Sequence, residues 1–224
     1  MLLRIRIQNF LSFQKGTTFD MLTDPKIEGL PHHISKDAPL PLLKQAAIYG
    51  ANGAGKSNLI KAFVFLKNWV TNPKCLEEIE VCDYSFRMTD EDTKPPICLE
   101  VEFLSHQKAY LYKVAISEES TEESLYLSGL GKSADTLIFE RKDSKLLTHS
   151  LLNESAINEL LTANKKASLL VLHQGLGASY NPELKAAYEW FDEQLCIVKY
   201  PSDNLQLAKQ LTSDEKLFDF VEDI

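Results

Sequence analysis

The sequence predicts an α/β fold in which an antiparallel β meander precedes a helical tail. Two patterns carry this prediction: apolar and polar residues alternate from about 84 to 148, and a helical apolar period begins at Ser57 and returns after 148. The composition agrees, because 224 residues with 44% hydrophobic and 25% charged residues are typical of a globular chain. Wholesale disorder is therefore excluded.

The net charge, the apolar runs and the cysteine spacing of the chain indicate which partners and which cellular compartment to expect. The net charge of −8 argues against a chain that coats nucleic acid by bulk charge. No apolar run approaches the ~20 residues of a membrane span, and the first residues alternate instead of forming a signal peptide. The cysteines lack CxxC spacing, which indicates reduced thiols. We therefore expect a cytoplasmic protein without a membrane partner.

Three short strands are predicted before the first helix. Residues 2–7 alternate apolar and basic side chains, and residues 17–22 form a second strand after a turn at Lys15-Gly16. The prolines and glycine between 23 and 42 predict loops. Residues 45–49 are a short apolar run whose small alanines suit a strand covered on both faces.

A helix is predicted from Ser57 to the dipeptide Asn72-Pro73, which ends it. Lysines and an asparagine occupy the face opposite the apolar stripe, so the helix should pack on one side only. The stripe consists of Leu59, Ala62, Phe63, Leu66, Trp69 and Val70.

The next stretch alternates repeatedly and predicts an antiparallel meander. Its expected strands are residues 97–104, 110–116, 125–127 and 136–141.

The last third of the chain predicts mainly helices. Asn181-Pro182-Glu183 is a well-formed helix start, residues 195–200 look like one more strand, and residues 212–224 form an acidic amphipathic helix. The predicted domain organisation is a P-loop lobe at 1–83, the meander at 84–148, and a helical segment at 149–224. We expect this last segment to continue beyond Ile224.

Residues 50–57 fit the pattern GxxxxGK[ST], the phosphate-binding P-loop. Its glycines allow backbone N–H groups to surround phosphate oxygens, and the following helix directs its positive end at the same phosphates. The lysine supplies charge for the β- and γ-phosphates, and the serine hydroxyl ligates Mg²⁺. The candidate nucleotide-binding residues are Gly50, Ala51, Asn52, Gly53, Ala54, Gly55, Lys56, Ser57 and Asn58, with Ser57 as the metal ligand.

Two later segments imitate functional motifs. Residues 127–131 look like the LSGGQ signature of ABC ATPases, and residues 129–133 end like a P-loop, with Tyr126 in place of the first glycine. A strand-like run follows where a signature needs a helix, so a turn between meander strands is favoured. No Walker B strand is evident: residues 169–172 run into His173, and residues 218–223 belong to the acidic helix.

The segments around the P-loop resemble a known family. Asn-Phe-Leu-Ser-Phe at 9–13, followed by AAIYGANGAGKSNLIKAF at 46–63, looks like the start of RecF- and SMC-like ABC ATPase heads. The chain is most similar to stand-alone bacterial AAA-type ATPases of the OLD and abortive-infection kind. Further similarities are Phe86, the strand at 99–103, Tyr110 to Tyr112, the run from Leu137 to Arg141, and Trp190-Phe191.

This resemblance implies a P-loop NTPase fold, similar to an ABC-ATPase head, that binds ATP and Mg²⁺. It implies a homodimer with nucleotide at the interface, and residues 9–13 near the nucleotide, where relatives often carry arginine at the position of Leu11. Such heads act in phage defence or DNA repair, often with a nuclease or toxin effector. Hydrolysis is expected only in the complete dimerised head, because a signature, a Walker B strand and a switch histidine are not evident here.

Two other functions remain open at this point. One is a non-hydrolysing module that senses nucleotide and recruits an effector, which the missing Walker B strand favours. The other is the ATPase subunit of an ABC transporter, which the Asn-Phe-Leu-Ser-Phe run and the long meander disfavour. The sequence leaves open whether DNA is bound and whether ATP or GTP is preferred, since no base-reading NKxD motif is present.

Overall fold

The computed structural model describes residues 1–24, 31–35, 38–88, 95–179 and 181–198. Strands in these ranges are β1 (Leu2–Gln8), β2 (Thr17–Asp20), β3 (Ile34–Ser35), β4 (Leu42–Leu43), β5 (Ile97–Ser105), β6 (Lys108–Ile116), β7 (Thr121–Leu127), β8 (Thr136–Lys142) and β9 (Lys145–His149). The α-helices there are α1 (Lys56–Thr71), α2 (Cys75–Glu78), α3 (Glu154–Ala163), α4 (Leu169–His173) and α5 (Pro182–Glu189). The 3-10 turns cover Pro31–His33, Val81–Asp83 and Gln174–Ser179, and a π-helical turn covers Trp190–Gln194.

A seven-stranded antiparallel sheet, counted within the described ranges, organises the fold. Its order is β2-β1-β5-β6-β7-β8-β9, so the first strand of the chain pairs directly with the first strand of the meander. Strands β3 and β4 form a separate two-stranded ribbon. The predicted antiparallel meander is confirmed, and within the described residues no helix is both long and apolar enough to cross a bilayer.

One face of the sheet forms the core against the helices. One row of five residues that runs across neighbouring strands illustrates this burial. Its members are directly paired from strand to strand, and each is 0% exposed. Side chains alternate faces along a strand, so the residues between them lie on the opposite face of the sheet, where half-exposed Arg4 pairs with buried Glu102. The row consists of Ile5, Val101, Tyr112, Leu125 and Phe139.

Helix α1 confirms the predicted amphipathic helix, and every member of the predicted stripe is buried. Phe65, which lies outside that stripe, is buried as well. Its ring packs at 5.6 Å from Phe10 and 5.1 Å from Tyr84, measured between ring centroids. The helix therefore buries a second side against the segment that follows β1, which a one-sided stripe did not predict.

The predicted strand at residues 45–49 is wrong. These residues form no strand, and Ile48 and Tyr49 are 45% and 90% exposed. A strand needs a neighbour to satisfy its N–H and C=O groups, and residues 45–49 pair with neither of the two edge strands, β2 and β9, of the described sheet. Local apolar character alone therefore did not produce a strand here.

The second wrong prediction is the strand at residues 195–200. Its described part, residues 195–198, is irregular, because Leu195 N–H is used to close the π-helical turn by donating to Trp190 O at 2.8 Å. Residues 199 and 200, the predicted helix at 212–224 and the acidic run at 218–223 lie outside the described residues. The helix start at Asn181-Pro182 is confirmed by α5.

A buried ion pair joins the sheet to the helical layer. Arg141 Nε lies 2.6 Å from Glu123 Oε2, and both side chains are 0% exposed. The Glu123 carboxylate also accepts hydrogen bonds from Tyr112 OH, Ser168 Oγ and Leu169 N–H. Burial raises the pKa of Tyr112 well above its usual value, so its hydroxyl stays protonated and able to donate.

The same tyrosine reaches α1. Trp69 Nε1 donates to Tyr112 OH at 2.7 Å, while Arg141 donates from its other nitrogens to main-chain oxygens that include Ala167 O at 2.7 Å. Every charged member of this cluster is thus compensated, which is the condition for burying charge without a large cost.

The folded protein should lose stability at mildly acidic pH because of His173. This side chain is 0% exposed, and its Nε2 accepts the Asn181 N–H at 2.6 Å. Burial lowers the pKa of His173 to about 4. Between about pH 6.5 and about pH 4 the unfolded chain binds a proton that the folded chain does not. The free energy of unfolding should therefore fall by about 1.4 kcal/mol per pH unit of acidification in that window.

The variant His173→Gln keeps an acceptor for Asn181 but does not titrate. Urea unfolding across this pH window should give a shallower loss of stability for the variant than for the unchanged chain. Parallel pH profiles for the two proteins would assign the acid sensitivity to other groups.

Candidate functional site

Residues 50–55 form a largely exposed loop that leads into α1, whose first two residues, Lys56 and Ser57, complete the motif. Gly53 and Gly55 adopt left-handed φ values of 82° and 89°, which glycine reaches without a Cβ penalty. The N–H of Ala54 donates to Ala51 O at 3.2 Å and tightens the loop. The glycine spacing of the motif thus matches the two positions where the backbone turns through the left-handed region.

The first turn of α1 carries no acidic side chain and no side-chain cap. Its N-cap residue, Gly55, has no side chain that could supply a cap. The first N–H groups of a helix have no intrahelical acceptor, and the helix dipole places partial positive charge at that end. This arrangement favours a bound phosphate.

Lys56 places a cation beside these donors. Its Nζ donates to Gly50 O at 2.6 Å and to Ala51 O at 2.7 Å. An ammonium group has three donor hydrogens, so this anchoring leaves one for a ligand. The lysine is therefore held over the loop by the loop's own backbone.

Ser57 and Asn58 follow on the first turn of α1. The Ser57 residue is exposed, as an incoming Mg²⁺ would require, whereas Asn58 is half-buried. Asn58 Nδ2 donates to Ser12 Oγ at 3.0 Å. The remaining predicted site residues lie together on the solvent side of the loop; these are Gly50, Ala51, Asn52, Gly53 and Ala54.

The segment after β1 lies against this loop. Phe10 and Phe13 exchange both backbone hydrogen bonds, at 3.0 and 2.8 Å, and so form a tight turn over residues 10–13. The turn presents Ser12 to Gly55, where a Cβ would lie 2.6 Å from Ser12 Oγ. Residues 9–13 are therefore next to the P-loop, as the resemblance implied, and the specific contact through Ser12 was not foreseen.

The two segments that resemble a signature motif and a second P-loop lie in a connection between strands, and their side chains contact residues outside the P-loop. Residues 128–135 connect β7 to β8, so the predicted turn between meander strands is confirmed. The hydroxyl of Ser128 donates to Glu102, and Lys132 Nζ donates to Pro39 O at 3.3 Å. Residues 169–172 belong to α4, a helix, which excludes them as a Walker B strand.

Two acidic residues that could replace a missing catalytic acid, Glu102 and Asp192, make their described contacts elsewhere. Glu102 pairs with Arg4 at 2.6 Å on the outer face of the sheet, opposite the face that packs on α1. Asp192 lies in the π-helical turn, where its main-chain oxygen accepts from Lys67 Nζ at 3.0 Å. Lys67 is ten residues beyond Ser57, about 15 Å along α1.

Comparison with known proteins identifies a family. Residues 46–193, more than half of the chain, match the family described as "AAA domain, putative AbiEii toxin, Type IV TA system". No curated protein matches the chain. A solved chain from "Structural biochemistry of ATP-driven dimerization and DNA stimulated activation of SMC ATPases" is 14% identical, with a TM-score of 0.30 over 94% of this chain and 98% of that chain.

Proposed function

Because the chain belongs to the family of AbiEii-type AAA domains, we propose that residues 50–58 bind ATP together with Mg²⁺. Family membership confirms the resemblance to ABC- and AAA-type ATPases of the abortive-infection kind and the α/β P-loop fold class. The proposal concerns the ligand and the residues that hold it.

The observation that carries the proposal is the position of Lys56. Its Nζ is fastened to Gly50 O and Ala51 O beside a helix start that has neither a capping side chain nor an acidic residue. Positive charge and open N–H donors therefore converge at one exposed loop. A polyphosphate supplies several anionic oxygens to such a site, which a single carboxylate does not.

Calorimetric titration with two nucleotides tests this proposal. ATP should bind at least tenfold more tightly than AMP, because only ATP offers the β- and γ-phosphates that the P-loop lysine addresses. Equal affinities, or no heat with ATP in the presence of Mg²⁺, would contradict a phosphate-directed site.

Ser57→Ala should weaken the Mg²⁺ dependence of ATP binding more than it weakens binding itself. The hydroxyl is proposed as a metal ligand, whereas the loop N–H groups and Lys56 hold the phosphates without it. Titrations with and without Mg²⁺ measure this difference. An identical response to Mg²⁺ in both proteins would show that Ser57 does not ligate the metal.

We expect the chain of residues 1–224 to turn over ATP barely above background. Hydrolysis needs a group that positions water and a group that stabilises the γ-phosphoryl charge. Glu102 pairs with Arg4, and the main chain of Asp192 contacts Lys67 about 15 Å along α1 from Ser57, which supports the non-hydrolysing nucleotide-sensing module for this chain. Phosphate release that is rapid and disappears in Lys56→Ala would instead place a catalytic carboxylate within the sequence.

For the biological role, we propose only the class of system in which the protein acts. The family description supports a nucleotide-dependent switch linked to phage defence through a toxin–antitoxin system. A role in DNA repair, a nuclease or toxin effector, a nucleotide-bridged homodimer, DNA binding and a cytoplasmic location remain predictions from the resemblance.

A further inference from the structure

The turn at residues 10–13 is fastened to two other parts of the molecule. Phe10, which is 0% exposed, packs against Phe65 of α1 and against Tyr84. Leu11 N–H donates to Tyr84 O at 2.7 Å, and Asn9 Nδ2 donates to Pro95 O at 2.5 Å. The turn therefore has a fixed position relative to α1.

The backbone at Leu11 is held in a left-handed conformation that leucine rarely adopts, and Asn9, just before the turn, has the same sign of φ, which asparagine adopts more readily. Asn9 has φ 52° and Leu11 has φ 48°. Left-handed conformations cost a branched side chain such as leucine on the order of 1 kcal/mol or more, and they persist where surrounding contacts impose them. Such a conformation is often associated with a functional position.

The constrained turn directs one polar side chain at the nucleotide site. Ser12 Oγ accepts the hydrogen bond from Asn58 Nδ2, on the first turn of α1, at 3.0 Å. The same oxygen occupies the space beside Gly55, where any Cβ would lie 2.6 Å away. Ser12 thus touches the N-cap residue of α1 and a residue of its first turn at once.

We propose that Ser12 is a positioning residue of the nucleotide site. By holding Asn58 and abutting Gly55, it fixes the orientation of the first turn of α1, whose N–H groups face the phosphates. Ser12 acts through α1 and needs no contact with the ligand. This inference rests on the proposed ATP binding, and it adds a residue outside the P-loop motif on which the affinity depends.

A double-mutant cycle on ATP affinity tests the role of Ser12. Ser12→Ala and Asn58→Ala should each raise the Kd for ATP about three- to tenfold, which corresponds to loss of one positioning hydrogen bond. The double variant should be no weaker than the weaker single variant, because both changes remove the same contact. Additive effects, in which the two factors multiply, would overturn the proposal.

Ser85→Ala is the matched control. Its hydroxyl donates to Val81 O at 3.3 Å, beside Tyr84, and no hydrogen bond among the described residues links this side chain to the P-loop. This variant should bind ATP within about twofold of the unchanged chain. If Ser12→Ala also stays within that range while Lys56→Ala loses binding, Ser12 has no positioning role although ATP binding stands.

A readout without nucleotide separates orientation from general stability. In amide NMR spectra of the ligand-free protein, Ser12→Ala should shift the Gly55 and Lys56 resonances, and Ser85→Ala should leave them in place. Unmoved resonances in both variants would contradict the proposal. Failure of the unchanged chain to bind ATP would instead overturn the proposed function itself, so the two failures are distinguishable.

Discussion

Lys56→Ala is expected to weaken ATP binding at least tenfold, which corresponds to about 1.4 kcal/mol. The variant removes the cation that Gly50 O and Ala51 O hold over the loop. The N–H donors of the loop and of α1 remain, so binding should fall without a change of fold. Calorimetry measures the affinity, and far-UV circular dichroism checks that the helices persist.

Lys61→Ala provides the matched control for this prediction. Lys61 is an exposed lysine on the same helix, and it lies outside the P-loop motif. It should leave ATP affinity within about twofold of the unchanged chain, which shows that the loss in Lys56→Ala does not come from net charge. An equal loss in both variants, or no loss in either, would mean that the P-loop match is accidental.

Glu123→Gln is expected to destabilise the protein by about 3–5 kcal/mol, the usual cost of removing one partner from a buried ion pair. The variant leaves the guanidinium of Arg141 wholly buried without its anion. The amide NH₂ group of glutamine would also replace one accepting oxygen: either Oε2, which accepts from Arg141 Nε and Leu169 N–H, or Oε1, which accepts from two hydroxyl groups. Urea unfolding should show a large fall in the free energy of unfolding.

The neighbouring exposed pair is the control for this variant. Glu122 and Lys142 lie on the same two strands at a separation of 2.6 Å, but both side chains are more than half exposed. Solvent screens such a pair, so Glu122→Gln should leave stability almost unchanged. If both variants lose a similar amount of unfolding free energy, burial does not make the Glu123–Arg141 pair more important for stability than the exposed pair.

The periodic spacing of apolar residues in the sequence correctly predicted α1 and the strands of the meander. The stripe of α1 and the alternation of the meander strands are visible in the sequence, because each places apolar residues on one face that the fold buries. The P-loop is also a local feature, since its glycines are required by the backbone of the loop itself.

Features that depend on distant partners could not be predicted in this way. Residues 45–49 have the composition of a strand but pair with no strand of the described residues. Arg141 ends a predicted strand, yet its burial depends on Glu123 and on the chain around Ala167. Ser12 precedes Asn58 by 46 positions, so only the folded turn brings its hydroxyl to the start of α1.

The most direct test of the central claim is a titration of the isotopically labelled protein with ATP and Mg²⁺, followed by amide NMR. If residues 50–58 hold the phosphates, the largest shifts should fall on the glycine loop and on Lys56 and Ser57. Smaller shifts should appear in the 10–13 turn, and the β7–β8 connection at 128–135 should stay unchanged. Shifts centred on that connection, or no shifts at saturating ATP, would contradict the account.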